Sequence, residues 1–133
     1  MMSSTPFKQP TVAPATASAP FLDAERLDVY RVITLEFQSH ASALALRGDA
    51  NLRDQLRRAS LSCVLNIAEG AGQRSRAQKR HLYAIARGSA MECAAVLDVM
   101  RIRNLANPAE CRAGRTLLVR IVQMLTKLEQ SLA

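Results

Sequence analysis

The stretch QLRRASLSCVLNIAEG, Gln55–Gly70, decides the fold. Counting back to Leu52, apolar residues recur at Leu52, Leu56, Ala59, Cys63 and Ile67, the alternating four-and-three spacing of one helix face set against a core. At about 100° per residue, Leu61, Val64, Leu65 and Ala68 cover the opposite side of the same helix. A helix that is apolar nearly all round is buried on more than one face. Between the two faces run Gln55, Ser62, Asn66 and Glu69, which in an interior have to satisfy one another or a neighbouring helix. The segment reads as the centre of a helical assembly.

Three more helices surround it. The first is expected over residues 24–47, capped by Asp23 and stopped by Gly48, with Leu27, Tyr30, Ile33, Phe37, Ala41 and Leu44 as its main apolar face. The central helix spans 51–70, with Asn51 and Asp54 forming a box-like cap and Gly70–Gly72 ending it. The third spans 76–103 behind a Ser75–Gln78 capping box, and its core line is Leu82, Ile85, Ala86, Ser89, Cys93, Val96 and Met100. The fourth spans 108–132, with Asn107 as cap, Pro108 first in the helix and Glu110 in its first turn. Its inward residues are Leu117, Leu118, Ile121, Leu125, Leu128 and Leu132. No strand-like alternation competes. Short links between amphipathic helices imply an all-α, antiparallel up-down-up-down four-helix bundle over residues 22–133. Residues 1–21 hold Pro6, Pro10, Pro14 and Pro20 among Ala, Ser and Thr. They lack the charged start and apolar block of a secretory signal, and read as a flexible, disordered tail.

Two short motifs carry a resemblance. Asn66-Ile67-Ala68-Glu69-Gly70, preceded by Gln55 and Arg57-Arg58-Ala59, is the first; Leu82-Tyr83 and Ile85-Ala86-Arg87-Gly88-Ser89 with Glu92 is the second. With Leu27-Asp28-Val29-Tyr30 as a helix opening, they resemble a family of small bacterial four-helix-bundle proteins. That family is encoded in 23S ribosomal RNA intervening sequences and is related to accessory variability proteins of retroelements. The resemblance covers roughly Leu27 to Met100. It departs at Cys63-Val64-Leu65, where the family usually places a proline before the Asn, so the second helix is expected to run straighter. It implies a bundle fold, five-membered rings among relatives, contact with RNA or DNA, and a reverse transcriptase or other protein as a partner.

Length and composition bound the rest. The 133 residues allow one domain with an adequate core, and 49% hydrophobic against 4% aromatic content means aliphatic side chains fill it. The longest apolar runs fall far short of a membrane span. Cys63, Cys93 and Cys111 stand far apart without a CxxC pair, which fits reduced thiols in a cytoplasmic protein rather than disulfides or zinc. His40 and His81 are isolated and no Glu-x-x-His pair exists, so neither a metal nor a cofactor is expected.

The charge balance is +7, and it is uneven. Residues 71–103 carry seven basic groups against Glu92 and Asp98. Arg76, Lys79 and Arg80 occupy the first turns of the third helix, where the positive end of the dipole disfavours cations by roughly 0.3–1 kcal/mol each. That end also offers free N–H groups to an anion. On the wheel Arg76, Arg80, Tyr83, Arg87 and Arg101 fall within about 60° of one another, turned away from the core line. With Arg74 and Lys79, the arginines form the candidate nucleic-acid surface, namely Arg74, Arg76, Lys79, Arg80, Arg87 and Arg101. A solvated face that keeps the protein soluble is the plainer alternative. Tyr83 is the one aromatic available for stacking, so any binding is expected to be led by phosphates, with little sequence preference.

Gln55, Asn66, Glu69, Arg87 and Glu92 are expected to form a structural polar network tying helix two to helix three. General acid–base work would need a nucleophile or pocket that the sequence does not offer, so catalysis is not expected. A second apolar stripe on three helices predicts assembly: Val32 and Leu35, with Leu46, on the first, Leu61, Val64 and Leu65 on the second, and Val119, Val122 and Met124 on the fourth. The resulting expectation is a non-enzymatic, basic homo-oligomer, a pentamer by resemblance, that binds nucleic acid. The rival is an oligomeric bundle that is purely structural or binds only proteins.

Overall fold

Each helix start is set by a side chain or by its absence. In the computed structural model, which describes residues 23, 27–45 and 49–133, α1 begins at Asp28 behind Leu27, with no side-chain cap. Residues 24–26, on whose amides the expected Asp23 cap would act, lie outside the described residues. α1 is continuous but built in three pieces, an α-turn Asp28–Arg31, a π-helical stretch Val32–Phe37 and an α-segment Gln38–Ala45. α2 covers Ala50–Gly72 and is capped by Asp49, whose carboxylate accepts from the amides of Asn51 at 2.8 Å and Leu52 at 3.3 Å. Asn51 and Asp54, expected to form that cap, lie inside the helix. α3 covers Arg76–Ile102, and the Ser75 hydroxyl accepts from the Gln78 amide at 3.2 Å. α4 covers Pro108–Ser131 with Asn107 as its cap, as the sequence predicts. The end of α3 is a Schellman turn. Asn104 takes φ 57°, Leu105 N–H donates to the Met100 carbonyl at 2.8 Å, and Asn104 N–H to that of Arg101 at 3.1 Å.

These four helices, with no strand among the described residues, pack as a bundle. α3 lies against α2 and α4, and α1 lies against the same two helices on the other side. Ile33, Phe37, Leu56, Ile67, Leu97, Met100, Leu118, Ile121 and Leu125 fill the centre and are fully buried. Two glycines let helices close up. A Cβ on Gly70 would sit 2.8 Å from the Tyr83 ring, and one on Gly114 would meet the His40 ring at 2.8 Å. The expected tail over 1–21, Leu46 and the Gly48 stop lie outside the described residues.

The π stretch corrects the reading of α1. Val32 and Phe37 are five positions apart, which on an α-helix would turn them about 140° from each other. An i→i+5 turn brings them into line, and Val32, Ile33 and Phe37 are all buried. Val32 is thus a core residue and not part of an outer stripe. The hydroxyl of Thr34 donates to the Tyr30 carbonyl at 2.6 Å and that of Ser39 to the Leu35 carbonyl at 3.2 Å, bonding the backbone where the register changes.

Candidate nucleic-acid interface

The cations at the start of α3 have partners that the sequence could not show. The Lys79 ammonium donates to the carbonyls of Ala71 at 2.8 Å and Gly70 at 3.3 Å, acceptors in the last turn of α2. The Arg76 guanidinium donates to the Ser131 carbonyl at 2.9 Å, at the end of α4. Their placement at the wrong end of their own helix is the right end of two neighbouring ones, where the negative pole favours a cation. This local stabilisation removes much of the reason to assign Arg76 and Lys79 to an external anion. Arg74 and Arg80 are exposed.

Arg87 does not join α2. Its guanidinium forms a two-pronged bond with Glu129 on α4, Nε to Oε2 at 2.5 Å and Nη2 to Oε1 at 3.1 Å, and Glu129 holds its protonation up. Asp98 on α3 likewise accepts from Arg115 Nε on α4 at 3.1 Å. The stripe that the wheel turns away from the core thus follows the α3–α4 seam. Tyr83, placed on that stripe by the wheel, is only 3% exposed, so it offers no stacking platform. Burial, and secondarily Asp23, raises its pKa.

Only part of the expected network between α2 and α3 is present. Asn66 Nδ2 donates to the Ser62 carbonyl at 2.8 Å and reaches Ser62 Oγ at 3.2 Å, and Ser62 Oγ meets Ser89 Oγ at 2.9 Å. Ser62 and Ser89 therefore carry the link. Gln55, Glu69 and Glu92 are exposed, and no hydrogen bond joins any of them to Asn66 or Arg87. Ile85, expected in the core line, is 40% exposed at the edge of the same seam.

The sequence reading also passed over the outward side of α4. Arg112, Arg120 and Lys127 are exposed there, eight and seven positions apart, which spreads them over about 80° of the helix. The signal was present as a wheel of the fourth helix with no acidic residue among them. Alongside, Arg80 and Arg101 are exposed on α3. The two acids between the helices, Asp98 and Glu129, are already committed to Arg115 and Arg87. Of the three outward α4 cations, Arg120 meets an acid, Glu36 on α1 at 3.6 Å, and both side chains stay half exposed.

Of the expected assembly residues, Leu61 and Leu65 are 52% and 56% exposed and Val119 is 43% exposed. Leu35 is half-buried, and Val64 and Val122 are half-buried against the core, so neither valine is a free surface residue. Val119 stands among the α4 cations and is separate from the leucine pair. Met91 and Ile102 on α3, at 53% and 69%, were not expected to be apolar surface.

A cavity of about 500 Å³ opens where α1 starts and α2 ends, lined among others by Asp23, Leu27, Arg74, Lys79 and Tyr83. His40 is held elsewhere, its Nε2 at 2.6 Å from the Glu110 carbonyl. Among the described residues no group of three or more His, Cys, Asp or Glu side chains is placed to hold a metal. Burial pushes the thiols of Cys63 and Cys93 up to about 12, with Cys93 the lesser cause at Cys63 and Glu92 the lesser cause at Cys93, and raises that of Cys111 as well. No described helix is long and apolar enough to cross a membrane.

Helix packing, paired motifs on α2 and α3 and a basic α3–α4 face define a small all-α bundle protein. Residues 27–127 match the family described as 23S rRNA-intervening sequence protein, and the chain belongs to that family. The match runs on through most of α4, beyond the two motifs. No curated protein matches the chain.

Proposed function

We propose that this protein is a non-catalytic, basic homo-oligomer of the cytoplasm that holds RNA or DNA by its phosphates. The observation carrying this reading is the α3–α4 face. Arg80, Arg101, Arg112 and Lys127 are exposed, while the acids between the two helices are spent on Arg87 and Arg115 and Arg120 turns to Glu36 on α1. Such a face has little internal use for its charge and favours a polyanion. The buried Tyr83 leaves base stacking without a platform, which favours backbone contact with weak sequence preference.

The bundle is read as up-down-up-down with antiparallel neighbours. The bonds from the start of α3 to the ends of α2 and α4 support this, as does the reach of His40 to the first turn of α4. Assembly is supported by Leu61 and Leu65, which leave an apolar strip on the outside of α2. The family resemblance makes a five-membered ring the expected closure. Buried, unpaired thiols favour a reducing compartment. Catalysis is set aside because the groups lining the cavity include a Lys79 already bonded to two carbonyls, and neither histidine lines it.

The test is fluorescence anisotropy with labelled RNA and DNA of unrelated sequence across a salt series. Binding should weaken steeply with salt and change little with sequence. Arg112→Glu with Lys127→Glu should reduce it more than Lys79→Met does. Salt-independent binding, or none at low salt, would favour the protein-binding alternative.

A further inference from the structure

The outward side of α3 carries Ala84, Gly88, Met91 and Ala95 at four-and-three spacing, with no charged residue among them. Gly88, Met91 and Ala95 are exposed and Ala84 is half-buried. Met91 is 53% exposed at the middle of this face. Gly88 is the oddity, since a Cβ there would find nothing within 4 Å. The monomer gives no reason for a glycine, a poor helix former, at mid-helix. A second helix lying close over that point would.

The charges flanking this face say which helix. Arg80 and Asp98 are eighteen positions apart, five full turns, so they share one azimuth about 27 Å apart along the axis. They bracket Gly88 and Met91 almost symmetrically. An antiparallel copy of α3 laid across the face puts Gly88 opposite Met91, Ala84 opposite Ala95, and Arg80 beside Asp98, each contact made twice by the two-fold axis. Arg80 is exposed, and Asp98, which accepts from Arg115 through Oδ1, keeps its side chain 37% exposed.

We infer that two copies of this chain pair through antiparallel α3 helices, with Met91 of each filling the space over Gly88 of the other and Arg80 of each meeting Asp98 of the other. This rests on the homo-oligomer reading and specifies its contact. It makes the number of copies even, two, or ten where five-membered rings also close through Leu61 and Leu65. Both α4 helices then fall on one side of the pair, joining their basic faces into a longer track for a polyanion.

A charge-exchange experiment on the full chain tests the register, read by light scattering and native mass spectrometry at micromolar concentration. Arg80→Asp and Asp98→Arg should each lose the pairing alone, because each sets like charges opposite. Mixed in equal amounts, they should recover it as a one-to-one complex, since both contacts are then opposite in sign. Far-ultraviolet dichroism shows whether each variant is folded. Gly88→Leu, in open space, should stay folded and also part the copies. A monomeric parent would overturn the homo-oligomer reading itself. An assembled parent whose mixed variants do not re-pair, or which keeps its mass in Gly88→Leu, would overturn the α3 contact alone.

Discussion

Lys79→Met separates a helix cap from a phosphate contact. Methionine keeps most of the stem and its packing while removing the three donors of the ammonium. The Gly70 carbonyl keeps a second partner, the Gln73 amide at 3.2 Å, but the Ala71 carbonyl loses its 2.8 Å bond, and Ala71 is buried. Stranding such an acceptor costs about 1–3 kcal/mol, toward the low end here because water lies close by. Removing a cation from the first turn of α3 returns roughly 0.3–1 kcal/mol. The net loss is about 1 kcal/mol, which for a domain of this size lowers Tm by about 3–5 °C. Thermal unfolding of the dissociated chain followed by circular dichroism reads it, with Arg80→Met as the exposed control that removes a cation from the same helix start without stranding a carbonyl and so should hold or slightly raise Tm. A Lys79→Met protein that melts with or above the parent while losing nucleic-acid retention would refute the cap and return Lys79 to the binding surface.

Other outcomes follow from the same geometry. Arg87→Ala should destabilise by about 1–2 kcal/mol, between the values for exposed and buried pairs, and Glu129→Ala by a similar amount; a double variant measuring the sum of the two would deny their coupling in a denaturant-melt cycle. Gly88→Ala should raise the stability of a dissociated chain by up to about 1 kcal/mol, whereas Gly70→Ala should lower stability because Tyr83 stands 2.8 Å from the new carbon; equal melting temperatures would contradict the stated burial. Burial raises the folded pKa of Cys63 and Cys93 from 9.0 to about 12, so the stability they contribute is complete below pH 9 and is lost as pH rises toward 12. Chemical unfolding from pH 8 to 11 should therefore show a steeper fall for the parent than for a variant with both cysteines replaced by alanine.

How much of this was legible depends on whether a feature is set by azimuth or by neighbours. The caps at Ser75 and Asn107 and the buried lines of α2 and α4 follow from local chemistry and a 3.6-residue period, and the sequence displayed them. Asp49 was missed because Asn51 and Asp54 offer similar oxygens, and only the backbone turn shows which carboxylate meets the free amides. In α1 the period itself changes, so wheel arithmetic placed Val32 outside when it is 3% exposed. The pairs Arg87–Glu129 and Arg76–Ser131 cross 42 and 55 positions. A wheel gives the direction of a side chain but not the helix it meets, so these partners were out of reach.

The two motifs divide in a way that bears on function. Asn66, Gly70 and Ser89 are used by the fold: the first holds Ser62, the second lets Tyr83 close in, and the third meets Ser62 across the seam. Arg87 is used as well, by α4. Glu69, Gly88 and Glu92 are not used in this way. They are exposed, no hydrogen bond ties the two acids into the seam, and the glycine weakens the helix that contains it. All three lie on the outer side of α2 and α3, beside Leu65, Ile85 and Met91, the same side that carries most of the exposed apolar surface. Under the proposed assembly, a glycine that weakens its helix beside an uncovered apolar surface would be accounted for by the copy that covers it. The exposed basic groups lie mainly on the α3–α4 side, so the proposed assembly and polyanion contacts share Arg80 and are otherwise separable by mutation.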